Sequence, residues 1–454
     1  FAIYGLIISL FFNWNPSNYI MAILFFLDVK SHFLSFHRFS LQICYHVLNF
    51  SSLINHQIDN QFNLIHKHMN RLIPMALLFI CLFTGCASQN WKNDEIFIIP
   101  IADYISRPYE IKCSQFIDDF EYIQLETNEK CLIPDGFKAL ILKNHILVYG
   151  VKYCYAFDRK TGKFLFEISR YGRGPNEYQS SLIAYNYSDS LIYSLGWNEN
   201  SLVFDLNGIF RGEFPLPSSV RGMENPSFIH RYSYLKDSIL VGYYPNILGI
   251  ETKLLATFNQ KGEQIKVFPN RNVFPKRPLK MMDLTDAHFY HAAGDTYFKE
   301  RSVDTVFKVN AESLIPHIIF ETGKFSVPYE YKWWTLNERK NVNFIFVNEI
   351  LENSDWIFVL AAKESVDYFA LYNKQVQQLS ITQKGDGIPN DIDDFVPFNP
   401  QFIDVDGNLV EFVNASKIST WFRNNPSKTS DKTEVLSNVE MTQNPVIMIG
   451  KSKT

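Results

Sequence analysis

The sequence predicts an all-β protein, a six-bladed β-propeller closed by pairing of its N-terminal and C-terminal strands. Three observations lead to this fold class. Apolar and polar residues alternate in many short runs such as Phe164–Ile168, which is the two-residue period of a strand. Units of four such runs repeat about every 50 residues, a size typical of propeller blades. One further strand near the start of the repeats is left over to complete the last unit.

Residues 1–68 precede the repeats and hold only five charged residues. Their apolar runs Phe1–Phe12 and Tyr19–Leu27 are shorter than the roughly 20 residues of a membrane-spanning helix. Two interpretations are open: a pair of poor membrane segments, or a non-native or disordered extension translated in frame ahead of the true start. We expect the second, because neither apolar run is long enough to span a bilayer.

Residues 69–85 have the order of a signal peptide. A basic start at Met69–Arg71 is followed by an apolar run, Leu72–Phe83, and then by small residues that lead to Cys86. This order resembles the bacterial lipoprotein signal, in which the cysteine thiol is acylated and becomes the new N-terminus. We therefore expect lipidation at Cys86.

Charge and anchoring limit the classes of partner. The 43 basic and 47 acidic side chains give a net charge of −4, which argues against a nucleic acid because phosphate binding needs a basic face. An acylated cysteine without a spanning helix places a protein on a membrane rather than through it. We expect a location in the cell envelope, lipid-anchored to the outer membrane and facing the periplasm or the surface. Residues 86–115 would be the tether and lead-in.

Six repeats fill residues 116–454. The first five share an Asp or Asn at the corner before the fourth run, and these corners lie 47, 54, 51 and 63 residues apart: Asp158, Asp205, Asn259, Asn310 and Asn373. Asp and Asn suit such corners because their side chains bond the local backbone and tolerate left-handed φ. The sixth repeat lacks a strand. We predict that Phe120–Leu125 supplies it by pairing beside Ile447, which closes the ring and removes its open edges.

Five motifs carry a family resemblance, in this order along the chain: Phe120–Thr127, Phe157–Phe164, Gly172–Tyr178, Asp304–Val309 and Asn444–Val446. Through them the sequence resembles the six-bladed β-propeller lipoproteins of Bacteroidetes, which are distantly similar to NHL- and TolB-like propellers and mostly without assigned function. The resemblance covers roughly residues 90–453. It implies the fold and an envelope location, and it transfers no catalytic residue to this chain.

The first strand of each blade lines the central channel of a propeller, so polar residues on or beside these strands are candidate ligand contacts. They are Asn186, His230, Arg231, His288, Asn348, Glu349 and Asp404. Neighbours such as Asn348 and Glu349 point to opposite faces of a strand, so only some can face the channel. A solvated wall without chemistry is the alternative. His288 and His291 have odd spacing, which separates them on a strand, and we predict no metal and no cofactor.

Residues outside the channel are candidates for contacts on a face of the ring. Arg173 and Glu177 lie in a Gly-rich stretch that lacks the helix and the Lys-Ser/Thr of a phosphate loop, so an inter-blade turn is expected there. Trp333 and Trp334 lie in an aromatic cluster that would either stack on sugar rings or pack an inter-blade segment.

Three cysteines remain in the predicted propeller and its lead-in: Cys113, Cys131 and Cys154. At most one disulfide can form among them, and all three pairings are open. Because no Cys-x-x-Cys occurs, a zinc site of that type has no support.

These features favour a non-catalytic platform, lipid-anchored in the envelope, that binds a ligand or a partner protein. The expected partners are a polysaccharide or an envelope protein complex, besides the membrane. The alternative is a propeller hydrolase or lyase acting on a glycan or lactone at the channel mouth, which requires acids and histidines that converge there. A structural subunit of an uptake complex is a third class. We assign no catalytic residue.

Overall fold

The structure is a computed structural model of the chain. It describes residues 96–197, 200–217, 227–277, 287–333 and 342–453, apart from Ser427, Thr429 and Asp431. The predicted extension, signal peptide and lipidation site at Cys86 lie outside these residues, as do Trp334 and the side chain of Trp333. Within the described ranges, no helix combines the length and apolar character needed to cross a bilayer.

Strands dominate the chain from its first described residues. Three elements precede the blades: β1 (Phe97–Ile99), α1 (Ile101–Ile105) and β2 (Ile117–Gln124). Blade 1 contains β3 (Lys138–Ile141), β4 (His145–Tyr149), β5 (Cys154–Asp158) and β6 (Phe164–Glu167). Blade 2 contains β7 (Ser180–Asn186), β8 (Leu191–Leu195), β9 (Asn200–Asp205) and β10 (Phe210–Pro215). Blade 3 contains β11 (Arg231–Tyr234), β12 (Leu240–Tyr243), β13 (Lys253–Phe258) and β14 (Gln264–Pro269).

The remaining blades follow the same pattern. Blade 4 contains β15 (Ala287–Ala292), β16 (Asp295–Glu300), β17 (Thr305–Val309) and β18 (Leu314–Phe320). Blade 5 contains β19 (Ile345–Glu352), β20 (Trp356–Lys363), β21 (Val366–Asn373) and β22 (Gln378–Gln383). Blade 6 contains β23 (Phe402–Ile403), β24 (Leu409–Val413) and β25 (Val446–Ser452), with helix α2 (Ala415–Asn424) before its last strand. The strands of each blade pair antiparallel in chain order, so the predicted six-bladed propeller is confirmed.

Buried apolar side chains form a cluster between each pair of neighbouring blades. Leu147 of blade 1 and Phe204 of blade 2 belong to one cluster, and Ile146, Val410 and Ile447 join blade 1 to blade 6. The other four interfaces have clusters of the same kind. Both faces of a blade are therefore covered, which explains why central strands read as nearly continuous apolar runs.

The ring is closed as the sequence predicted. Strand β2 is the outermost strand of blade 6 and pairs antiparallel with β25, so that Tyr122 lies opposite Met448 and Ile123 opposite Ile447. Arg159, in the turn after β5, lies 3.3 Å from the Glu121 carboxylate. The closure thus combines a strand pairing with an ion pair from blade 1.

Residues 97–116, here called the strap, run along the outer edges of three blades. Strand β1 pairs in parallel with β18 as a fifth strand of blade 4. The Tyr109 amide then donates to the Ile381 carbonyl of blade 5 at 2.8 Å, and the Cys113 amide donates to the Pro389 carbonyl at 3.0 Å. The described part of the expected tether, residues 86–115, is therefore built into the propeller. Strand β1 and helix α1 were not predicted from the sequence.

Candidate functional site

The central channel holds two cavities among the described residues. The wide cavity, of about 1420 Å³, is lined mainly by residues on or beside the innermost strands, and all six blades contribute. The narrow cavity, of about 450 Å³, lies toward the ends of these strands. Five residues line both cavities and form what we call the waist: Leu140, Tyr187, His291, Glu352 and Ile403.

Charged side chains from different blades face the wide cavity. Lys138 comes from β3, Arg231 from β11 and Glu349 from β19. Burial within the channel lowers the pKa of the Lys138 ammonium, the nearby Arg231 guanidinium lowers it further, and Glu349 opposes both effects. Burial likewise raises the pKa of Glu349, against the opposing charges of Lys384 and Lys138. These groups are therefore close enough to act on one another.

His288, on β15, lines the same cavity as a neutral side chain. Its buried Nε2 atom makes no hydrogen bond. Burial, followed by the positive charges of Lys299 and Arg231, lowers the pKa of His288 to about 3. At neutral pH the imidazole is therefore uncharged, and its Nε2 is a buried nitrogen without a hydrogen bond in a residue that lines the cavity.

At the waist, His291 connects blades 2, 3 and 4. Its ring nitrogens lie 3.0 Å from Ser233 Oγ and 3.1 Å from Thr296 Oγ1. The Tyr187 ring of blade 2 packs on the imidazole, with 4.5 Å between ring centroids. Burial lowers the pKa of His291 to about 4, so this residue also is neutral at pH 7. These contacts hold the His291 side chain in place at the waist.

A second waist residue, Glu352, is a buried carboxylate. Its Oε1 accepts hydrogen bonds from His317 Nε2 at 2.8 Å and from Lys374 Nζ at 2.6 Å. Its Oε2 accepts from the Tyr290 hydroxyl at 2.7 Å. Burial alone would raise the pKa of Glu352, but the bonds from His317 and the charge of Lys374 outweigh it and lower the pKa.

Sequence reasoning missed Lys138, Tyr187 and Glu352, which line the wide cavity or the waist. A signal was available in principle, because Lys138 is a charged residue at the start of an otherwise apolar inner strand and Glu352 is a charged residue at the end of β19. Which ends face each cavity depends on the register of every blade, and that is set only in the assembled ring.

The predicted channel residues have different positions. His230, Arg231, His288 and Glu349 line the wide cavity together, whereas Asn186 and Asn348 line neither cavity. Asn186 is fully buried, and its amide nitrogen donates to Asp189 and Ser238, both at 2.9 Å. It was expected in the channel wall, but its hydrogen bonds instead hold the turn after β7.

Asn348 and Glu349 lie at an irregularity of β19. The pairing with β20 shifts between Val347 and Glu349, as in a β-bulge. Such a bulge changes which side chains face the channel, and here Glu349 faces the wide cavity while Asn348 does not.

Asp404 lines the narrow cavity and not the wide one. Its carboxylate accepts from the backbone amides of Asp406 at 3.0 Å and Asn408 at 2.8 Å, and it also lies 3.6 Å from Arg159. These bonds give Asp404 a role in holding the β23–β24 turn and the closure of the ring.

The Gly-rich stretch forms a turn between blades 1 and 2, as expected. The Glu177 carboxylate accepts from the Gly174 amide at 2.6 Å, and a Cβ at Gly172 would lie 2.0 Å from the same carboxylate. Arg173 is exposed, with its guanidinium 4.7 Å from the centre of the Trp197 ring. Neither Arg173 nor Glu177 lines the channel cavities, so any ligand contact by them remains a prediction.

The three cysteines of the described chain are buried free thiols: Cys113, Cys131 and Cys154. None of the three pairings left open by the sequence is formed. Among the described residues, no three His, Cys, Asp or Glu side chains are grouped so that they could hold a metal ion.

Together these observations define a class: a six-bladed propeller with a large cavity at one end of its channel, walled by charged and aromatic side chains. The family model described as "Domain of unknown function (DUF4934)" matches residues 96–451. The chain belongs to this family.

One solved structure shows the same fold at low sequence identity. A protein from Bacteroides fragilis NCTC 9343, whose name proposes that it is exported, is 15% identical with a TM-score of 0.60, over 79% of this chain and 100% of its own. A protein of unknown function from Bacteroides caccae is 11% identical with a TM-score of 0.30, over 59% of this chain and 81% of its own. No curated protein sequence matches this chain significantly.

Proposed function

We propose that this protein is a lipid-anchored propeller of the cell envelope that binds a ligand in the wide cavity without transforming it. The order of residues 69–86 supports the anchor, because it matches a lipoprotein signal. The name of the B. fragilis neighbour supports an envelope location. The wide cavity, described above, carries the binding role.

The cavity is large enough for an extended ligand. Its volume of about 1420 Å³ exceeds the roughly 300–1,000 Å³ of common small-molecule sites. Aromatic rings such as Tyr149, Phe228 and Tyr232 line it beside polar groups such as Gln401 and Asn414. Apolar walls with a few placed polar groups are the usual composition of a binding site.

Binding is favoured over hydrolysis or lyase chemistry by the environment of His288. A general base works best when its pKa lies near the working pH. The pKa of about 3 makes the His288 imidazole a weak base at neutral pH. These features suit a group that receives a hydrogen bond from a ligand.

A ligand screen with an occluded variant tests the proposal. Ser180 lines the wide cavity at the start of β7, and Ser180→Trp would fill part of it. We expect oligosaccharides or other small ligands that raise the melting temperature of the protein to bind the variant at least about tenfold more weakly. Isothermal titration calorimetry gives the affinities, and mass spectrometry of the recovered ligand should show it unchanged.

Ser188→Trp is the matched control, because Ser188 lines the narrow cavity. It should leave the affinity within about twofold of the parent. Equal affinity in Ser180→Trp and the parent would contradict binding in the wide cavity. A chemically altered ligand would instead support the hydrolase or lyase alternative.

A further inference from the structure

We propose that the wide cavity binds an uncharged saccharide, and that one of its pyranose rings packs on Phe137 and Phe402. The hydroxyl groups of that ring bind the side-chain amides of Gln401 and Asn414. These four residues, here called the stacking sector, all line the wide cavity. The inference rests on the proposed binding function and names its ligand class.

Phe137 and Phe402 are paired where blade 1 meets blade 6. Phe137 directly precedes β3 of blade 1, and Phe402 lies on β23 of blade 6. Their rings are nearly parallel, at 23°, with 6.4 Å between the ring centroids. Both residues are only partly buried. Because the two rings share an orientation, a flat ligand that packs on one of them is aligned with the other.

A third ring, Phe412, holds the pair in place. It is 4% exposed and belongs to the apolar cluster that joins blade 1 to blade 6. Its ring centroid lies 5.0 Å from that of Phe137 and 5.4 Å from that of Phe402. Since the two outer rings are already packed on a buried anchor, they lose little further freedom when a ligand covers them, which lowers the entropic cost of binding.

Two exposed amide side chains lie beside these rings. Gln401 Oε1 accepts a hydrogen bond from the Phe412 backbone amide at 3.4 Å, which leaves its Nε2 group as a donor. Asn414 lies two positions after Phe412, before helix α2, and its side chain makes no capping bond to the helix. Each amide therefore offers hydrogen-bonding groups to a ligand in the cavity.

An apolar surface bordered by amides matches a pyranose ring better than a wholly apolar ligand. A β-glucopyranose has C–H groups on its faces and hydroxyls around its edge, so the face packs on phenylalanine while the hydroxyls exchange hydrogen bonds with amides. An alkyl chain would cover the same rings but would take water from the amides without replacing its hydrogen bonds, which costs free energy.

The charges beside the stacking sector favour an uncharged sugar. Asp135 lies in the turn before Phe137, and Lys138 directly follows Phe137. Both line the wide cavity. Because one is an anion and the other a cation, a charged sugar at this position is attracted by one and repelled by the other, whereas a neutral sugar depends on neither.

Three probes test the ligand class. They are a β-1,4-linked glucose tetramer, a glucuronate tetramer of the same linkage, and laurate as an apolar ligand. Calorimetry on the purified full chain should show that the glucose tetramer binds at least about tenfold more tightly than the other two. Its affinity should change less than about twofold between roughly 50 mM and 500 mM salt, because no ion pair contributes.

Substitutions of aromatic residues test the position of the sugar. Phe402→Leu keeps apolar volume but removes the flat ring, and should weaken the glucose tetramer about tenfold. Phe402→Tyr keeps the ring and should stay within about threefold of the parent. Phe210→Leu is the matched control, because Phe210 is a partly buried ring on β10 that packs on Phe204 outside both cavities. It should leave the affinity unchanged.

A substitution of an amide tests the hydrogen bonds. Asn414→Ala removes the side-chain amide without removing a capping bond, and should weaken the glucose tetramer about fivefold or more while leaving any binding of laurate unchanged. Asn207→Ala is its matched control, because Asn207 is exposed in the turn after β9, outside both cavities. It should bind the tetramer as the parent does.

Each outcome decides the inference. Equal or tighter binding of the glucuronate tetramer or of laurate overturns the uncharged saccharide. Equal affinities in Phe402→Leu and Phe210→Leu, or in Asn414→Ala and Asn207→Ala, overturn the position of the sugar. If the glucose tetramer does not bind, the saccharide assignment is wrong, and the ligand screen with Ser180→Trp still decides whether the wide cavity binds other molecules.

Discussion

Two histidines of β15 show how strongly the channel changes a side chain. His288 and His291 are three positions apart on a strand that pairs without a bulge, so they point to opposite faces. His291 is hydrogen-bonded to Ser233 and Thr296, whereas His288 Nε2 is unbonded. Both are held neutral by burial, so the folded protein resists their protonation.

This resistance predicts a loss of stability in mild acid. The folded-state pKa values of about 3 for His288 and about 4 for His291 lie below the ordinary value of 6.5. The unfolded chain therefore binds protons more readily, and the free energy of unfolding falls as the pH drops below about 6.5. Each histidine contributes up to about 1.4 kcal/mol per pH unit, and His288→Gln should make the decline shallower.

Urea unfolding at several values between about pH 7 and pH 5 measures this slope. Asn144→Gln is the control, because Asn144 lies in the turn before β4, outside both cavities, and carries no titratable group, so the slope of this variant should match that of the parent. If the free energy of unfolding falls with pH equally steeply in the parent and in His288→Gln, then His288 is protonated equally in the folded and unfolded states, and the prediction is wrong.

At the scale of elements, turns couple the blades to the closing strand. Gly162, in the turn between β5 and β6, has φ of +68°, and its carbonyl accepts the Glu126 amide at 2.9 Å. A Cβ at this position would lie 2.1 Å from the Gln124 carbonyl of β2. The glycine is therefore needed for its backbone angle and for the close approach of blades 1 and 6.

Gly162→Ala should destabilise the protein more than a glycine substitution that strains the backbone alone. Gly385 also has positive φ, but a Cβ there meets nothing within 4 Å. We expect Gly385→Ala to cost about 1 kcal/mol, and Gly162→Ala to cost roughly 1–3 kcal/mol more because the methyl group displaces β2. Chemical unfolding followed by tryptophan fluorescence gives both values, and similar losses would contradict the proposed contact.

The blades could be predicted because each carries its own pattern of alternation and Asp or Asn corners. Strand β1 could not, because three residues, Phe97–Ile99, hold no turn signal and pair only once β18 exists as an edge. Part of the site could also be predicted, because the repeat pattern locates the first strand of each blade. His230, Arg231, His288 and Glu349 were found from their position on first strands, whereas Asn186 was not separable from them by sequence.

At the scale of the whole molecule, the interblade clusters make the ring a continuous core. The clusters between successive blades include one that joins blade 6 back to blade 1. Each blade is thus supported on both sides, and loss of one interface exposes apolar surface on its two neighbours. We expect cooperative unfolding of the ring for this reason.

Three thiols report on this cooperativity. Burial raises the pKa of Cys113, Cys131 and Cys154, so in the folded protein they are both inaccessible and protonated. We expect iodoacetamide to spare all three in the native protein and to modify them at the same denaturant concentration at which fluorescence reports unfolding. Peptide mass spectrometry follows each thiol separately.

Cys113 lies in the strap, and Cys154 lies in blade 1. Modification of Cys113 at clearly lower denaturant than Cys154 would show that the strap detaches before the ring opens. Three free thiols predict the same peptide map with and without reductant. A pair of linked peptides that disappears on reduction would show a disulfide and contradict this prediction.

The strap also determines how mechanical tension would reach the propeller. Any pull applied through the preceding chain arrives first at β1, on the rim of blade 4, then at α1 and the Tyr109–Ile381 bond, and last at the β2–β25 pairing. These outer attachments lie in series ahead of the closing strand. Tension transmitted along the preceding chain would therefore break the contacts of β1 and Tyr109 before it could separate β2 from β25 and open the ring.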